Sequence, residues 1–366
     1  MKTVVFIVGQ LSQPRCIKRI TTIQQAGIPI KVYGYNNGLY EENLKTVSFK
    51  VDGYLTNRGN RIARRISPYK QIRKIYMENS NDSIFYVFGY DLAKKIFTIG
   101  CRNYVYEEAD VNSAKFKNPL RRFFAIQFDK FLAKKSLFTV YTSQGFVDYL
   151  FPNKNKRPNY VLLPNKLNSY FREHNRDAVV KNPIDINHIK FGFVGLIRYP
   201  HTIGRFARVI AEHFPQHEFH FYGDRNVKLL DVLFGSPNIF FHGRFRNPED
   251  LESIYSKIDI CISCYDAQSS ATAINVKIAE PNKLYEAIYF KTPLVVSEGT
   301  FIGTRVNELN VGFTLVSHCD EEIINFIENL NCDDLQKVVL SCQKIEKCSL
   351  LDNPKSLIET IMIFVK

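Results

Sequence analysis

The segment from Ala279 to Ser297, AEPNKLYEAIYFKTPLVVS, concentrates the side chains best placed to do chemistry. A helix starting just after Pro281 puts Lys283 in its first turn and Glu286 three residues on, on nearly the same face, and ends near Lys291 ahead of an apolar run. A lysine beside a helix N-terminus makes an anion site from exposed N–H groups, helix dipole and ammonium together. A carboxylate can accept hydrogen bonds from two vicinal hydroxyls. Phosphate on Lys283 and ribose on Glu286 describe a nucleoside diphosphate. The same spacing also fits an i,i+3 ion pair on the surface of a helix.

The elements around this segment follow one grammar. Ile189 to Gly195, Glu218 to Gly223, Asn238 to Gly243, Ile258 to Cys264, Thr292 to Ser297 and Gly312 to Val316 are short β-rich apolar runs separated by helical stretches. That is how buried parallel strands read. Three of them end in a glycine, at Gly195, Gly223 and Gly243. Ligands of open parallel sheets bind beyond the carboxyl ends of strands, where a side chain obstructs approach. Each glycine could equally serve only to open a tight turn. The first half repeats the grammar from Thr3 to Val8, which ends at Gly9, through IPIKVYGY, Ser83 to Tyr90, Asn103 to Glu107, Leu137 to Ser143 and Asn159 to Asn165. The expected fold class is therefore α/β, with two Rossmann-like doubly wound domains. We expect the first over residues 1–171, a polar linker over 172–188, the second over 189–350, and a helical segment over 351–366 that could pack back on the first domain.

At 366 residues and roughly 150 residues per domain, two domains are also what length predicts. An apolar content of 45% is ordinary for a globular chain. Gly9 stands alone in VGQLSQ, so no G-x-G-x-x-G dinucleotide fingerprint follows the first strand, and no G-x-x-x-x-G-K-[ST] is present. No Asp-x-Asp pair is there to hold a divalent cation on a sugar diphosphate, so no metal site is expected and protein groups must neutralise such a ligand. The eight cysteines are scattered. Cys261 and Cys264 form one C-x-x-C inside an apolar strand, with no second pair to complete a zinc site. HFPQHEFH, from His213 to His220, has metal-ligand spacing but sits on a turn entering a strand. The apolar run near the N-terminus is too short for a signal peptide, and no run reaches the roughly 18 residues of a membrane span.

PNKLYEAIYFKTPLVVS resembles the P-x-K-x-x-E nucleotide-sugar signature of GT-B glycosyltransferases, of the family-4-like, group 1 type found in bacterial surface and capsular polysaccharide biosynthesis. The resemblance extends over nearly the whole chain. YTSQGFVDYL (Tyr141 to Leu150) and LLPNK (Leu162 to Lys166) resemble the close of the first domain, FVGLIRY (Phe193 to Tyr199) the opening of the donor domain, and the run from Asn238 to Asp266 the glycine-ended strand, helix and Asp-bearing strand that follow. The resemblance implies two Rossmann-like domains facing each other across a crevice. It also implies a hexosyltransferase that needs no cofactor beyond a nucleoside-diphosphate sugar as co-substrate. It places Glu286 on the donor ribose and Lys283 and Arg198 on the diphosphate, with Asn282, Gly195, Gly223, Gly243, Thr300 and Gly303 around the donor. The loop from Thr300 to Gly303 could offer backbone N–H groups to phosphate. Gly9 and Ser143 fall on the acceptor side. The fuller family pattern, Glu-x7-Glu, is departed from: Ile278 stands eight positions before Glu286, and Glu280 is off that spacing.

Inverting transfer needs a base within about 3 Å of the acceptor hydroxyl. YEEAD follows a strand of the first domain, so Glu107, Glu108 and Asp110 are base candidates, with Asp91 after VFGY behind them. Each could equally be a solvated strand-end or capping acid. The net charge of +13 calls for an acidic partner. NRGNRIARRISPYKQIRKIY carries Arg58, Arg61, Arg64, Arg65, Lys70, Arg73 and Lys74 without one acid, and KFKNPLRRFFAIQFDKFLAKK (Lys115 to Lys135) adds cations and aromatics. At about 1 kcal/mol per cation near an anionic bilayer, the first stretch suffices for reversible attachment, unless it is simply a solvated basic helix. The expected protein is cytoplasmic and peripheral on the inner face of the cell membrane, acting on a glycan or lipid-diphosphate-linked acceptor. A nucleotide-sugar 2-epimerase of the same fold is the nearest alternative. A basic nucleic-acid-binding protein is the alternative of another class, but no nucleic-acid motif is present.

Overall fold

The computed structural model describes residues 1–366 except 39–41, 46, 169, 174–182, 198–199, 225–227 and 266–272. Two units divide it, one built from Met1–Leu163 together with Asn353–Lys366 and the other from Pro164–Asp352.

The first unit holds a seven-stranded sheet of β1 (Thr3–Val8), β2 (Ile30–Tyr35), β3 (Gly53–Leu55), β4 (Ser83–Phe88), β5 (Tyr104–Glu108), β6 (Phe138–Tyr141) and β7 (Tyr160–Leu162), in the order β3-β2-β1-β4-β5-β6-β7. Every pairing is parallel, for example Val4 with Ile30 on one side of β1 and with Ile84 on the other. β3 is only three residues long and escapes a reading by hydrophobic pattern. The central strands are apolar at nearly every position because helices cover both faces of the sheet. The Lys355–Val365 helix buries Leu357, Ile361 and Val365 in the same core as Val4, Phe6, Ile20 and Ile23. Lys2 N–H donates to Val365 O at 2.7 Å, tying the two ends of the chain into this unit.

The second unit holds β8 (Lys190–Val194), β9 (Glu218–Tyr222), β10 (Ile239–Gly243), β11 (Ile260–Ser263), β12 (Leu294–Ser297) and β13 (Gly312–Leu315), again all parallel, in the order β10-β9-β8-β11-β12-β13. Strand order reverses at β1/β4 in one sheet and at β8/β11 in the other, and beyond such reversals the carboxyl strand ends leave room for a ligand.

The boundary falls earlier than residue 171. Residues from Pro164 onward belong to the second unit because Phe171, on the Tyr170–Glu173 helix, is buried against Tyr289 and Phe290 with ring centroids 5.1 and 5.9 Å away. Within 172–188, residues 174–182 lie outside the described residues, and the rest goes with the second unit. The return crossing follows Asp352, beside the first one: Leu167 N–H donates to Leu350 O and Asp352 N–H to Leu167 O, at 3.1 and 2.7 Å.

Candidate functional site

In the second unit the helix Lys283–Tyr289 buries six of its seven residues. Leu284, Ala287 and Ile288 pack into the core with Tyr255 and Phe290. The two charged residues are drawn in with them, and Lys283 is 6% and Glu286 3% exposed. A surface ion pair is therefore ruled out. The Lys283 Nζ lies 4.7 Å from the Phe193 ring centroid and 5.8 Å from that of Tyr265. Burial works to lower the pKa of this ammonium, but Tyr265 and Glu286 beside it outweigh burial and raise it. The lysine therefore keeps its charge in a buried setting, where a charge interacts more strongly than it does in water.

Glu286 is held at both oxygens. Tyr255 Oη donates to Oε2 at 2.9 Å, and the Asn282 side-chain amide donates to Oε1. Burial raises its pKa above the ordinary carboxylate range, opposed by Lys283, Tyr255 and Asn282. Asn282 occupies the cap position of the helix, but its side chain turns to Glu286 rather than to the helix N–H groups.

β8 leads straight into this pair. Gly195 has φ +126°, and a Cβ there would meet the Lys283 Nζ at 2.9 Å. Gly223 has φ +149°, and a Cβ on it would lie 2.0 Å from Gly195 O, which no relaxation of a side chain could relieve. The ends of β8 and β9 thus close on each other through glycine, with Gly195 N–H donating to Tyr222 O at 2.7 Å. Gly243 differs: its φ of +77° with open space around it fits a turn.

In the Thr300 to Gly303 loop one backbone N–H, that of Gly303, is already engaged within the helix start. Thr300 Oγ1 caps the Phe301–Leu309 helix by accepting from Gly303 N–H at 3.1 Å while donating to Ser297 O at 2.7 Å, and both residues are buried. Glu280 is likewise buried and engaged, accepting from Tyr285 Oη at 2.6 Å, with Arg305 at 3.9 Å. Arg198 lies outside the described residues. Phe193, Tyr255 and Tyr265 went unread in the sequence, where aromatic residues at strand and helix ends look like ordinary core.

No protein-family model matches the chain, and no curated protein does. Solved structures do, over the full length. Sucrose-phosphate synthase from Thermosynechococcus elongatus matches with a TM-score of 0.68 at 11% identity, covering 100% of this chain and 98% of that one. Anabaena HepE in complex with UDP and glucose matches at 0.67 and 13%, covering 100% and 99%. WaaG, a glycosyltransferase involved in lipopolysaccharide biosynthesis, matches at 0.62 and 14%, covering 98% and 99%. The chain has the GT-B fold.

In the N-terminal unit of this GT-B chain the candidate bases separate sharply. Glu107 is not a free base. It is buried, paired with Arg19 through Nε at 2.8 Å and Nη2 at 3.2 Å, and accepts from Tyr86 Oη. Burial alone would raise its pKa, but Arg19, Arg15 and Tyr86 together hold it below the ordinary range. Glu108 is not a base at the surface either. It is fully buried beside Asp129, and burial followed by the Asp129 charge pushes its pKa well up, so it holds a proton. Asp129 itself accepts from Tyr106 Oη at 2.9 Å and from Ser113 Oγ. Two carboxyls so close cannot both ionise. Both glutamates face inward because the final residues of β5 are still covered by helices. Asp110 and Asp91 do reach solvent just past β5 and β4, Asp110 with Lys115 at 3.8 Å. Ser143 is buried and caps the Gln144–Leu150 helix, its Oγ accepting from Gly145 N–H at 3.1 Å. Gly9 is exposed at the end of β1.

The cations from Arg58 to Lys74 are exposed, most of them on the Arg61–Asn79 helix. The histidines of HFPQHEFH go to different partners: His217 Nδ1 accepts from Ile189 N–H at 3.1 Å, while His220 lies 2.8 Å from Glu218 and 3.0 Å from His242. No cluster of three or more metal-ligating side chains occurs among the described residues. Cys261 and Cys264 are both buried, and burial pushes the Cys264 thiol up to about 12. No helix among the described residues is long and apolar enough to cross a membrane.

Proposed function

We propose that this chain is a nucleotide-sugar-dependent glycosyltransferase, with a hexose as the transferred sugar and a hydroxyl of a glycan or lipid-linked glycan as acceptor. The observation that carries the reading is the buried Lys283 and Glu286, one helical turn apart, with the lysine set against the glycine-ended strand β8. HepE, of the same fold, holds UDP and, in another structure, UDP-glucose. A hexosyl donor on a uridine nucleotide is therefore the first to try.

Lys283 would contact the diphosphate and Glu286 the ribose hydroxyls, on the oxygen lone pairs that Tyr255 and Asn282 leave open. In the reaction the acceptor oxygen bonds to the anomeric carbon of the sugar, and the bond from that carbon to the diphosphate breaks. Nucleoside diphosphate departs with the electron pair, and its new charge falls beside the Lys283 ammonium, where a preplaced cation favours the transition state. The acceptor proton goes to Asp91 or Asp110 if the transfer inverts, since these acids reach solvent at carboxyl strand ends of the first unit. The basic face from Arg58 to Lys74 would hold the enzyme to an anionic membrane surface, which for a lipid-linked acceptor is the inner face of the cell membrane.

The experiment is a thermal-shift screen of nucleoside-diphosphate sugars followed by product analysis with and without acceptor. A ligand at 100 times its Kd adds about 2.7 kcal/mol to the bound state, enough to raise Tm by several degrees. Stabilisation by one nucleotide class and acceptor-dependent loss of the sugar support the reading. Acceptor-independent epimerisation would replace it with a 2-epimerase, and no stabilisation by any nucleotide sugar would overturn it.

A further inference from the structure

The chain's excess charge is gathered in one place. Segment 57–76 has seven cations and no acid, and segment 115–135 has seven cations and one acid, Asp129, so these two segments hold the whole net charge of +13. The remainder of the chain is balanced. Both segments are largely helical, in the Arg61–Asn79 and Pro119–Lys135 helices, and the Tyr90–Thr98 helix packs against both. All three helices follow parallel strands of the first unit, so their first turns start at the carboxyl edge of one sheet.

Charge is not the only unusual feature of these helices. The Pro119–Lys135 helix buries Ala125, Asp129, Leu132 and Ala133. On the opposite side it leaves Leu120 66%, Phe123 56%, Phe124 62% and Phe131 39% exposed. Spacings of three, four and eleven residues put these four side chains on one stripe about 100° wide. Phe116, just before the helix, is exposed as well. The Arg61–Asn79 helix repeats the arrangement, burying Pro68, Ile72 and Ile75 while Ile62 and Ile66 stand out at 68% and 48%. A solvated basic helix has no use for an outward stripe of phenylalanine. An apolar stripe flanked by lysine and arginine is what a helix needs to lie in the headgroup layer of an anionic bilayer with its apolar side chains in the acyl boundary.

We propose that the first unit docks on anionic lipid by inserting this stripe, with Leu120, Phe123 and Phe124 as the wedge, Ile62 and Ile66 as a second contact, and the flanking cations on the headgroups. The inference rests on the membrane reading above and extends it: attachment is by insertion as well as by charge, so it resists salt.

The chain contains no tryptophan, which makes a single introduced one a clean reporter. Phe124→Trp is compared with Ile363→Trp, also at an exposed position but on the Lys355–Val365 helix, which packs in the core with Val4, Phe6, Ile20 and Ile23. Each is mixed with vesicles of phosphatidylglycerol and phosphatidylcholine carrying brominated acyl chains. Insertion predicts a blue shift and at least twofold quenching for Phe124→Trp and neither for Ile363→Trp. In sedimentation, Phe123→Ser with Phe124→Ser should lower the bound fraction about tenfold at 0.5 M salt, with Tm unchanged as the check on folding. Arg121→Gln with Arg122→Gln should act mainly at low salt, where exposed charges are poorly screened. Vesicle binding with Phe124→Trp unshifted and unquenched would overturn insertion and leave the basic-face reading standing. No vesicle binding by the wild type, whether or not an oligonucleotide binds, would overturn both.

Discussion

The ammonium of Lys283 rests against the backbone of Gly195, so closely that a Cβ at residue 195 would meet Nζ at 2.9 Å. Lysine Nζ is the far end of a flexible chain and could move aside, but φ at Gly195 is +126°, a conformation that an L side chain adopts only with strain. Gly195→Ala should therefore cost about 1–3 kcal/mol in stability, read by denaturant titration. It should also displace Lys283 and weaken nucleoside diphosphate binding. A variant as stable as wild type, with unchanged affinity, would mean that β8 and Lys283 are not coupled.

Arg19 and Glu107 make the opposite prediction to that of a catalytic base. Arg19→Gln should destabilise the first unit by about 3–5 kcal/mol, because it strands a buried carboxylate. The pKa of Glu107 is held below its ordinary value, so its contribution to stability is complete above the ordinary carboxylate range. It is lost as pH falls below that range, through the depressed folded value. An acid unfolding curve of Glu107→Gln should lack that loss. Survival of transfer activity in a folded Glu107→Gln would confirm that this residue takes no proton from the acceptor.

Glu108 titrates with the other sign. With its pKa pushed well up in the folded chain, the folded state keeps a proton that the unfolded state gives up, so stability falls as pH rises from the ordinary carboxylate value toward the folded one. Glu108→Gln removes the ionisable proton at nearly constant volume. It should raise Tm at pH 8 relative to wild type and make Tm less dependent on pH between 5 and 8. A lower Tm at pH 8 would contradict a protonated Glu108.

Legibility in the sequence followed pattern length. Parallel strands such as Val4 to Val8 announce themselves because burial on both faces leaves no polar position, and the pairing of Lys283 with Glu286 shows in their spacing. β3, with three residues, carries too little pattern to see. Burial was the quantity that spacing could not supply. Glu107 and Glu108 sit at the end of an apolar strand where an exposed acid was the natural reading, but Arg19 is 88 residues away in sequence and Asp129 lies on a later helix. Thr300 and Gly303 are ambiguous for a related reason, since a capped helix start and a phosphate loop have the same composition until the N–H partners are known. The domain boundary at Pro164 was hidden because Phe171 joins a core built mostly from residues beyond 250.

The central claim is that Lys283 and Glu286 hold two different parts of one nucleotide, and calorimetric titration of Lys283→Ala and Glu286→Ala tests it most directly. Each lost charge-assisted contact is worth about 1.5–3 kcal/mol, so affinity for nucleoside diphosphate should fall roughly 10- to 100-fold in either variant. Lys283→Ala should narrow the gap between diphosphate and monophosphate, and Glu286→Ala the gap between ribose and 2′-deoxyribose forms. Both variants folded with nucleotide affinity unchanged would contradict the account.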